Sequence, residues 1–418
     1  MSRRAFPFSL LPPDTLPDAR LLLAARALRA FGDGYISLLL PFYLTLLGLS
    51  VLQVGIIITA TLLGAGVMTL AVGSIAHRCR QRSLLILASV LAIAASLMIA
   101  FATDFWPLLL IALMGTLNPS SGDVSVFSPL EHSLLAQTVS APSRTALFAR
   151  YSLIGALVGA IGAQAAALPA LAADLWMLEL KTALQAMFLI YAVTALIGMQ
   201  LYRGLSLQLE MHEQALSTPL GKSKKIVYKL AALFSLDALG GGFAVQSLLA
   251  LWLFQRFDLS IAAAGAIFFW TGVLTAFSHL AAARIAARFG LINTMVFTHI
   301  PASIFLILAP FMPSLPLVIM LLCLRSALSS MDVPARTSYV MAVVSPGERP
   351  AAASVTAVPR SLAAAVSPAF AGYLLSLSTF GWPLIICGGL KIAYDLLLLR
   401  MFGHVKPPEE TQPGARRD

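Results

Sequence analysis

Twelve times along this chain the sequence runs for about twenty residues with few or no charges, as in SLLILASVLAIAASLMIAFAT over 83–103. A helix of that length spans the roughly 30 Å hydrocarbon layer of a bilayer, and a helix satisfies its own backbone polar groups where no water can. The other runs are 22–47, 52–76, 106–136, 144–169, 180–202, 226–253, 260–287, 291–311, 315–343, 350–377 and 381–403. Each is expected to form one transmembrane helix, and they are numbered here as spans 1 to 12. Composition supports the same class. The chain is 59% hydrophobic and 11% charged, against about 25% charged residues in soluble domains. The fold class is therefore an all-α polytopic membrane protein.

A net charge of +10 would point to nucleic acid in a soluble protein, but here its distribution reports topology. The first segment is broken by Pro7, Pro12, Pro13 and Pro17 before an apolar run forms, and reads as a cytosolic tail rather than a cleaved leader. With that tail inside, the inner segments carry Arg78, Arg80, Arg82, Arg144, Arg203, Lys222, Lys224, Lys225, Arg284, Arg288 and Arg349. The outer loops hold Asp104, Asp174, Glu179, Lys181, Arg256 and Asp258. This is the positive-inside asymmetry, and it predicts a plasma-membrane protein with both termini in the cytoplasm and no nucleic-acid partner. The expected organisation is a tail over 1–20, a bundle over 21–203, a linker over 204–225, a second bundle over 226–403 and a tail over 404–418. Cys79, Cys323 and Cys387 are too scattered for a disulfide framework or metal cluster.

The two halves are copies. A shift of 210 places Gly32 on Gly242, Ser50 on Ser260, Gly55 on Gly265 and Arg78 on Arg288. A shift of 209 places Ser120, Ser121, Asp123 and Val124 on Ser329, Ser330, Asp332 and Val333, and a shift of 205 places Arg144 on Arg349. Duplicated six-helix units are a common plan of secondary transporters.

The loop after span 2, GSIAHRCRQR over 73–82, resembles the G-x-x-x-D-R-x-G-R-[KR] signature of the major facilitator superfamily at Gly73, Arg78 and Arg82, with His77 at the acidic position. Its copy after span 8, ARIAARFG, keeps Arg288 and Gly290. Segments GALVGAIGA in span 5 and PRSLAAAVSPAFAG in span 11 are similar to small-residue segments of that superfamily. The resemblance implies two six-helix bundles, a central site lined by spans 1, 4, 7 and 10, and alternating access by rocking of the halves.

On span 4, Thr116, Ser120, Asp123, Phe127 and Glu131 fall on one helical stripe, and on span 10 so do Arg325, Ser329, Asp332, Arg336 and Tyr339. Intramembrane charges face protein or water rather than lipid. Asp33 has Arg29 four residues before it, and Asp332 has Arg336 four after, so either acid is read as locally paired or as a proton carrier. Asp123 and Asp237 have no base at those offsets. Asp123 is the first candidate for the coupling proton, ahead of Asp237 and Asp33, unless another helix supplies a partner such as Arg325 or Arg150. Arg29, Tyr35, Thr116, Ser120, Gln246, Arg325, Ser329 and Asp332 are the central-cavity candidates. Gly73, His77, Arg78, Arg82, Glu131, Arg288, Gly290 and Arg336 are expected at the cytosolic gate. Gly240, Gly241 and Gly242 form a hinge candidate in span 7, and Arg150, Arg360, Lys391 and Asp395 are further charges within spans.

The six histidines are dispersed and build no metal-ligand box, and no GxxxxGK[ST] phosphate loop occurs. An enzyme is not expected, nor a cofactor. The expected function is secondary transport of a small molecule by a monomer, coupled to a proton or another ion. Efflux of an amphipathic compound is the first expectation, and uptake of a small polar metabolite the second.

Overall fold

The computed structural model describes residues 15–75, 79–120, 125–140, 143–206, 220–221, 223–345 and 348–403. Among these the structure is helical throughout. Spans 1 to 3 are α1 (Asp18–Leu46), α2 (Val51–Ile75) and α3 (Gln81–Phe101). Span 4 is split into α4 (Phe105–Ala112) and α5 (Phe127–Gln137). Span 5 is α6 (Arg144–Ala165), the short α7 (Leu168–Trp176) follows it, and span 6 is α8 (Leu180–Arg203). Span 7 is split into α9 (Lys224–Gly242) and α10 (Gln246–Phe257). Spans 8 and 9 are α11 (Ile261–Phe289) and α12 (Leu291–Leu308). Span 10 is split into α13 (Leu315–Ser329) and α14 (Asp332–Ala342), and spans 11 and 12 are α15 (Arg349–Leu377) and α16 (Trp382–Phe402).

Three of the twelve spans are broken, and local chemistry accounts for the breaks. In span 4, Gly115 takes φ 63° and lies so close to Ala65 on α2 that an added Cβ would sit 2.1 Å from its nitrogen. Only glycine fits there, and Asn118-Pro119 follows directly, where a proline removes a donor. In span 7 the three glycines bring α9 to its end, as their weak helix propensity predicts. In span 10 the break is Ser330 and Met331, after which Asp332 occupies the first turn of α14, where an acid complements the helix dipole.

Eight helical segments are long and apolar enough to cross a membrane by length and composition. Spans 1, 4, 10 and 11 are not among them, because polar residues and breaks interrupt them; three of these four carry the candidate residues. The lipid-type surface is clear on α3, which buries Leu84, Leu85, Ala88, Ala92, Ala95 and Ile99 and exposes Leu87, Val90, Leu97, Met98 and Phe101. Such a patch would promote aggregation in water; in a bilayer it faces acyl chains.

Packing differs between the two ends of the bundle. At the end away from the termini, one apolar cluster runs through both halves, joining Tyr35, Leu39 and Tyr43 of α1 to Leu248, Leu251 and Trp252 of α10 and Leu375 of α15. At the end that carries the termini there are two clusters, one drawn from residues 19–205 and one from residues 227–402. The shared end is also hydrogen-bonded across the halves. Ser247 N–H donates to the Pro119 carbonyl at 3.1 Å, its hydroxyl lies 2.7 Å from both the Ser37 and Pro119 carbonyl oxygens, and Ala369 N–H donates to Thr59 Oγ1 at 2.8 Å. The breaks in spans 4 and 7 thus satisfy one another's backbone, which is what irregular chain at membrane depth requires.

Glycines let α1 and α6 meet. A Cβ on Gly34 would lie 2.2 Å from the Gly159 carbonyl oxygen, and one on Gly162 would lie 2.1 Å from that of Phe31. The GALVGAIGA segment therefore serves close helix packing. Near the termini, Glu348 accepts from the Ser223 hydroxyl at 2.7 Å, from Gly221 N–H and from the Ser345 hydroxyl at 2.8 Å, tying the start of α9 to that of α15.

Candidate functional site

A buried ionic cluster stands in each half among the described residues. In the N-terminal half Arg29 of α1 donates from Nη1 to Glu131 Oε1 at 2.8 Å and from Nη2 to Oε2 at 2.5 Å. Tyr202 donates to Oε1 at 2.5 Å, and Tyr151 to Oε2. Glu131 is 0% exposed. Four charge-assisted bonds from three helices saturate this carboxylate, and the Phe127 ring packs 4.8 Å from the Arg29 guanidinium. Beside it, Asp33 accepts from Tyr191 at 2.9 Å and from Asn118 Nδ2 at 3.2 Å.

In the C-terminal half Asp237 of α9 is shared. Lys391 of α16 donates to Oδ1 at 2.7 Å and Arg336 of α14 to Oδ2 at 3.1 Å. Arg336 also lies 3.4 Å from Asp332. Beyond Lys391 the chain continues through His299 of α12, whose Nε2 is 3.3 Å from Nζ and whose Nδ1 is 3.1 Å from both oxygens of Asp395. A neutral imidazole that donates from Nδ1 to Asp395 accepts from Lys391 at Nε2. Asp237, Lys391, His299 and Asp395 thus form a continuous series of contacts within hydrogen-bond distance.

This second cluster borders a cavity of about 220 Å³ between α9 and α12 to α16. Its wall includes Asp237, His299, Ser303, Arg325, Ser329, Asp332, Arg336, Arg360 and Lys391. The space is below the roughly 300–1,000 Å³ of drug-sized ligand sites, and its lining is polar.

The expected stripe on span 10 survives the break at 330–331, since Arg325, Ser329, Asp332 and Arg336 all line the cavity. The stripe on span 4 does not, because α4 ends at Ala112 and residues 113–120 are not helical. Thr116 is buried there, and Ser120 bonds through its N–H and hydroxyl to Asn118 Oδ1 at 3.1 and 2.8 Å. Asp33 is not paired with Arg29, which binds Glu131 instead. Asp237 is not unpaired, since its cations come from α14 and α16 and same-helix spacing could not reveal them. Tyr35 packs in the core with its hydroxyl 3.3 Å from the Met187 carbonyl, and Gln246 opens α10. Glu131 and Arg336, expected at the gate, centre the ion pairs within their own halves. Arg82 donates to the Arg203 carbonyl at the end of α8, Arg288 lies 5.5 Å from the Phe289 ring, and Gly290 turns the chain between α11 and α12 with φ 86°. Gly73 falls in the last turns of α2; His77, Arg78 and Asp123 lie outside the described residues.

Sequence reasoning missed His299 and the tyrosines and did not place Lys391 or Asp395 in the site. A signal existed: Lys391 and Asp395 stand four apart in an apolar span, and His299 is the polar break in another.

Two bundles sharing one sealed end, with a charged cavity among broken helices, define a membrane transporter architecture. The sequence profile of the Major Facilitator Superfamily matches residues 22–234 and again 230–418, once over each half, and the chain belongs to that family. It is 26% identical over 426 residues to the uncharacterized membrane protein YJR124C of Saccharomyces cerevisiae, a match covering 92% of this chain and 94% of that one. Among solved structures it is similar to the nucleoside transporter NupG, with a TM-score of 0.69 and 14% identity over 93% of this chain and 99% of the other. It is also similar to the human organic anion transporter MFSD10 (TETRAN), at 0.63 and 19% over 92% and 100%. A bacterial homologue of the human lysosomal transporter Spinster, in an inward-facing and occupied conformation, gives 0.69 and 16% over 92% and 96%.

Proposed function

We propose that this protein is a proton-coupled secondary transporter that binds a small polar solute in the cavity of its C-terminal half and exposes it alternately to the two sides of a cell membrane. The observation that carries this reading is Asp237, which lines the cavity and also begins the Asp237, Lys391, His299, Asp395 chain. A proton arriving on Asp237 weakens its hold on Lys391 and Arg336, so protonation and solute occupancy act on the same groups. Asp33 has only neutral donors and sits beside the shared apolar cluster, away from the cavity, so the coupling role is given to Asp237.

The polar wall supports the second sequence expectation, a polar metabolite, over an amphipathic compound. The similar structures are named for different cargoes, so their fold does not select one. Both termini are placed in the cytoplasm on the basic inner segments, with residues 204–225 as the linker between halves of a monomer. Apolar packing continuous at one end and divided at the other supports a state open toward the termini.

The test is flux into vesicles holding the purified protein under an imposed pH gradient, with a panel of small metabolites. Gradient-driven accumulation is expected for at least one, lost in Asp237→Asn while solute counterflow persists. Undiminished accumulation by that variant would reject the coupling role. Direction follows from solute levels in cells with and without the gene, measured with and without a protonophore.

A further inference from the structure

The cavity wall carries Arg325, Arg336, Arg360 and Lys391 against Asp237 and Asp332. We propose that it recognises an anionic group on its solute, a carboxylate or a phosphate, and that Arg325 is the residue that pairs with it. This deepens the transport reading above and rests on it.

The acids of the wall are already engaged. Asp237 holds Lys391 and Arg336, and Asp332 lies against Arg336. Arg325, on α13, has no acid within ion-pair distance among the described residues, although it lines the same space. Charges inside a protein are ordinarily paired, and a guanidinium does not escape burial by giving up its proton as an ammonium can. Its planar fork of N–H donors matches the two oxygens of a carboxylate or phosphate. Ser303 of α12 also lines this space, and its Oγ is buried without a hydrogen-bond partner. Duplication supplies an internal control. The position equivalent to Arg325 in the first half is Thr116, so the span-4/span-10 fold is built without a cation there, and the charge is particular to the half that holds the cavity. A cationic solute would meet Arg325 as like charge.

The experiment uses the full-length protein in detergent, with its thermal unfolding midpoint read at fixed ionic strength against acetate, succinate, inorganic phosphate, glycerol 3-phosphate, choline and glucose. At least one of the four anions is expected to raise the midpoint saturably, and the carboxylate and phosphate arms identify which group is bound. Arg325→Gln is expected to weaken that response about tenfold or more, and Arg325→Lys to weaken it less. The proposal is overturned if no anion stabilises, if choline or glucose does so equally, or if Arg325→Gln keeps the full response. Without ligand, Arg325→Gln should unfold at the same midpoint as the parent or higher, since no protein partner is lost; a large fall would show a structural ion and also overturn it. Failure here is separable from failure of the transport reading. Anion binding through Arg325 without gradient-driven flux refutes transport alone, whereas flux of a neutral solute that survives Arg325→Gln refutes the anion site alone.

Discussion

The two halves use the same positions to opposite ends. Glu131 and Arg336 are equivalent by the repeat, yet one is an acid gripped by a base on span 1 and the other a base gripped by an acid on span 7. In the N-terminal half the pair is finished: both carboxylate oxygens of Glu131 have two donors, and the glutamate is wholly buried. In the C-terminal half the pair is open, with Asp237 divided between two cations and facing a cavity. A saturated ion pair holds helices in place, whereas an under-filled one can exchange partners with a proton or a solute.

The sharpest way to break this comparison is to remove one acid from each half. Glu131→Gln leaves Arg29 buried without its counterion, and removing one member of a buried pair costs about 3–5 kcal/mol. A large fall in unfolding midpoint is expected. Asp237→Asn should cost clearly less, because Arg336 keeps Asp332 and the site borders a cavity, while gradient-driven flux is lost. Equal losses of stability would mean that both clusters are structural. His299→Gln comes next. It interrupts the contact between Lys391 and Asp395, and is expected to flatten the pH dependence of flux with a modest change in midpoint; an unchanged pH profile would remove His299 from the chain.

Ser247→Ala tests the seam where the halves join. It deletes a hydroxyl shared between two carbonyls of the other half, worth about 1 kcal/mol net. That shifts the balance of open and closed states by about fivefold, read as faster thiol labelling of a cysteine placed at the sealed end. The smallest effect concerns Glu348. The Ser223 hydroxyl first, then Gly221 N–H and the Ser345 hydroxyl, hold its carboxyl below the ordinary glutamate value of 4.5. The contribution of these bonds to stability is complete above 4.5 and is lost as pH falls through the lowered value. Hydrogen exchange at the Gly221 amide should accelerate in that acid range and lose this pH response in Glu348→Gln.

The architecture was legible because it rests on periodic signals: apolar run length gave the spans, and the shifts of 210, 209 and 205 gave the duplication. The site was half legible. Asp332 with Arg336 follows from same-helix spacing, and their separation of 3.4 Å agrees. Asp33 with Arg29 has the same spacing but a different outcome, since Glu131 and two tyrosines arrive from other helices to claim the arginine. Partners such as Lys391 for Asp237 lie 154 residues away, where no local pattern reaches. The breaks after Ala112 and after Gly242 depend on packing against a neighbouring helix or the other half, as the contact of Gly115 with Ala65 shows.

On the proposed reading, a carrier that takes an anion through Arg325 would do so across the electrical potential of its membrane. A unit charge moved through the whole of that potential changes in energy by about 2.3 kcal/mol per 100 mV. An empty carrier with this guanidinium in its cavity feels the field as the halves rock, and one loaded with a monoanion is closer to neutral and feels less of it. The voltage-sensitive step of the cycle is then the return of the empty carrier rather than the passage of the loaded one.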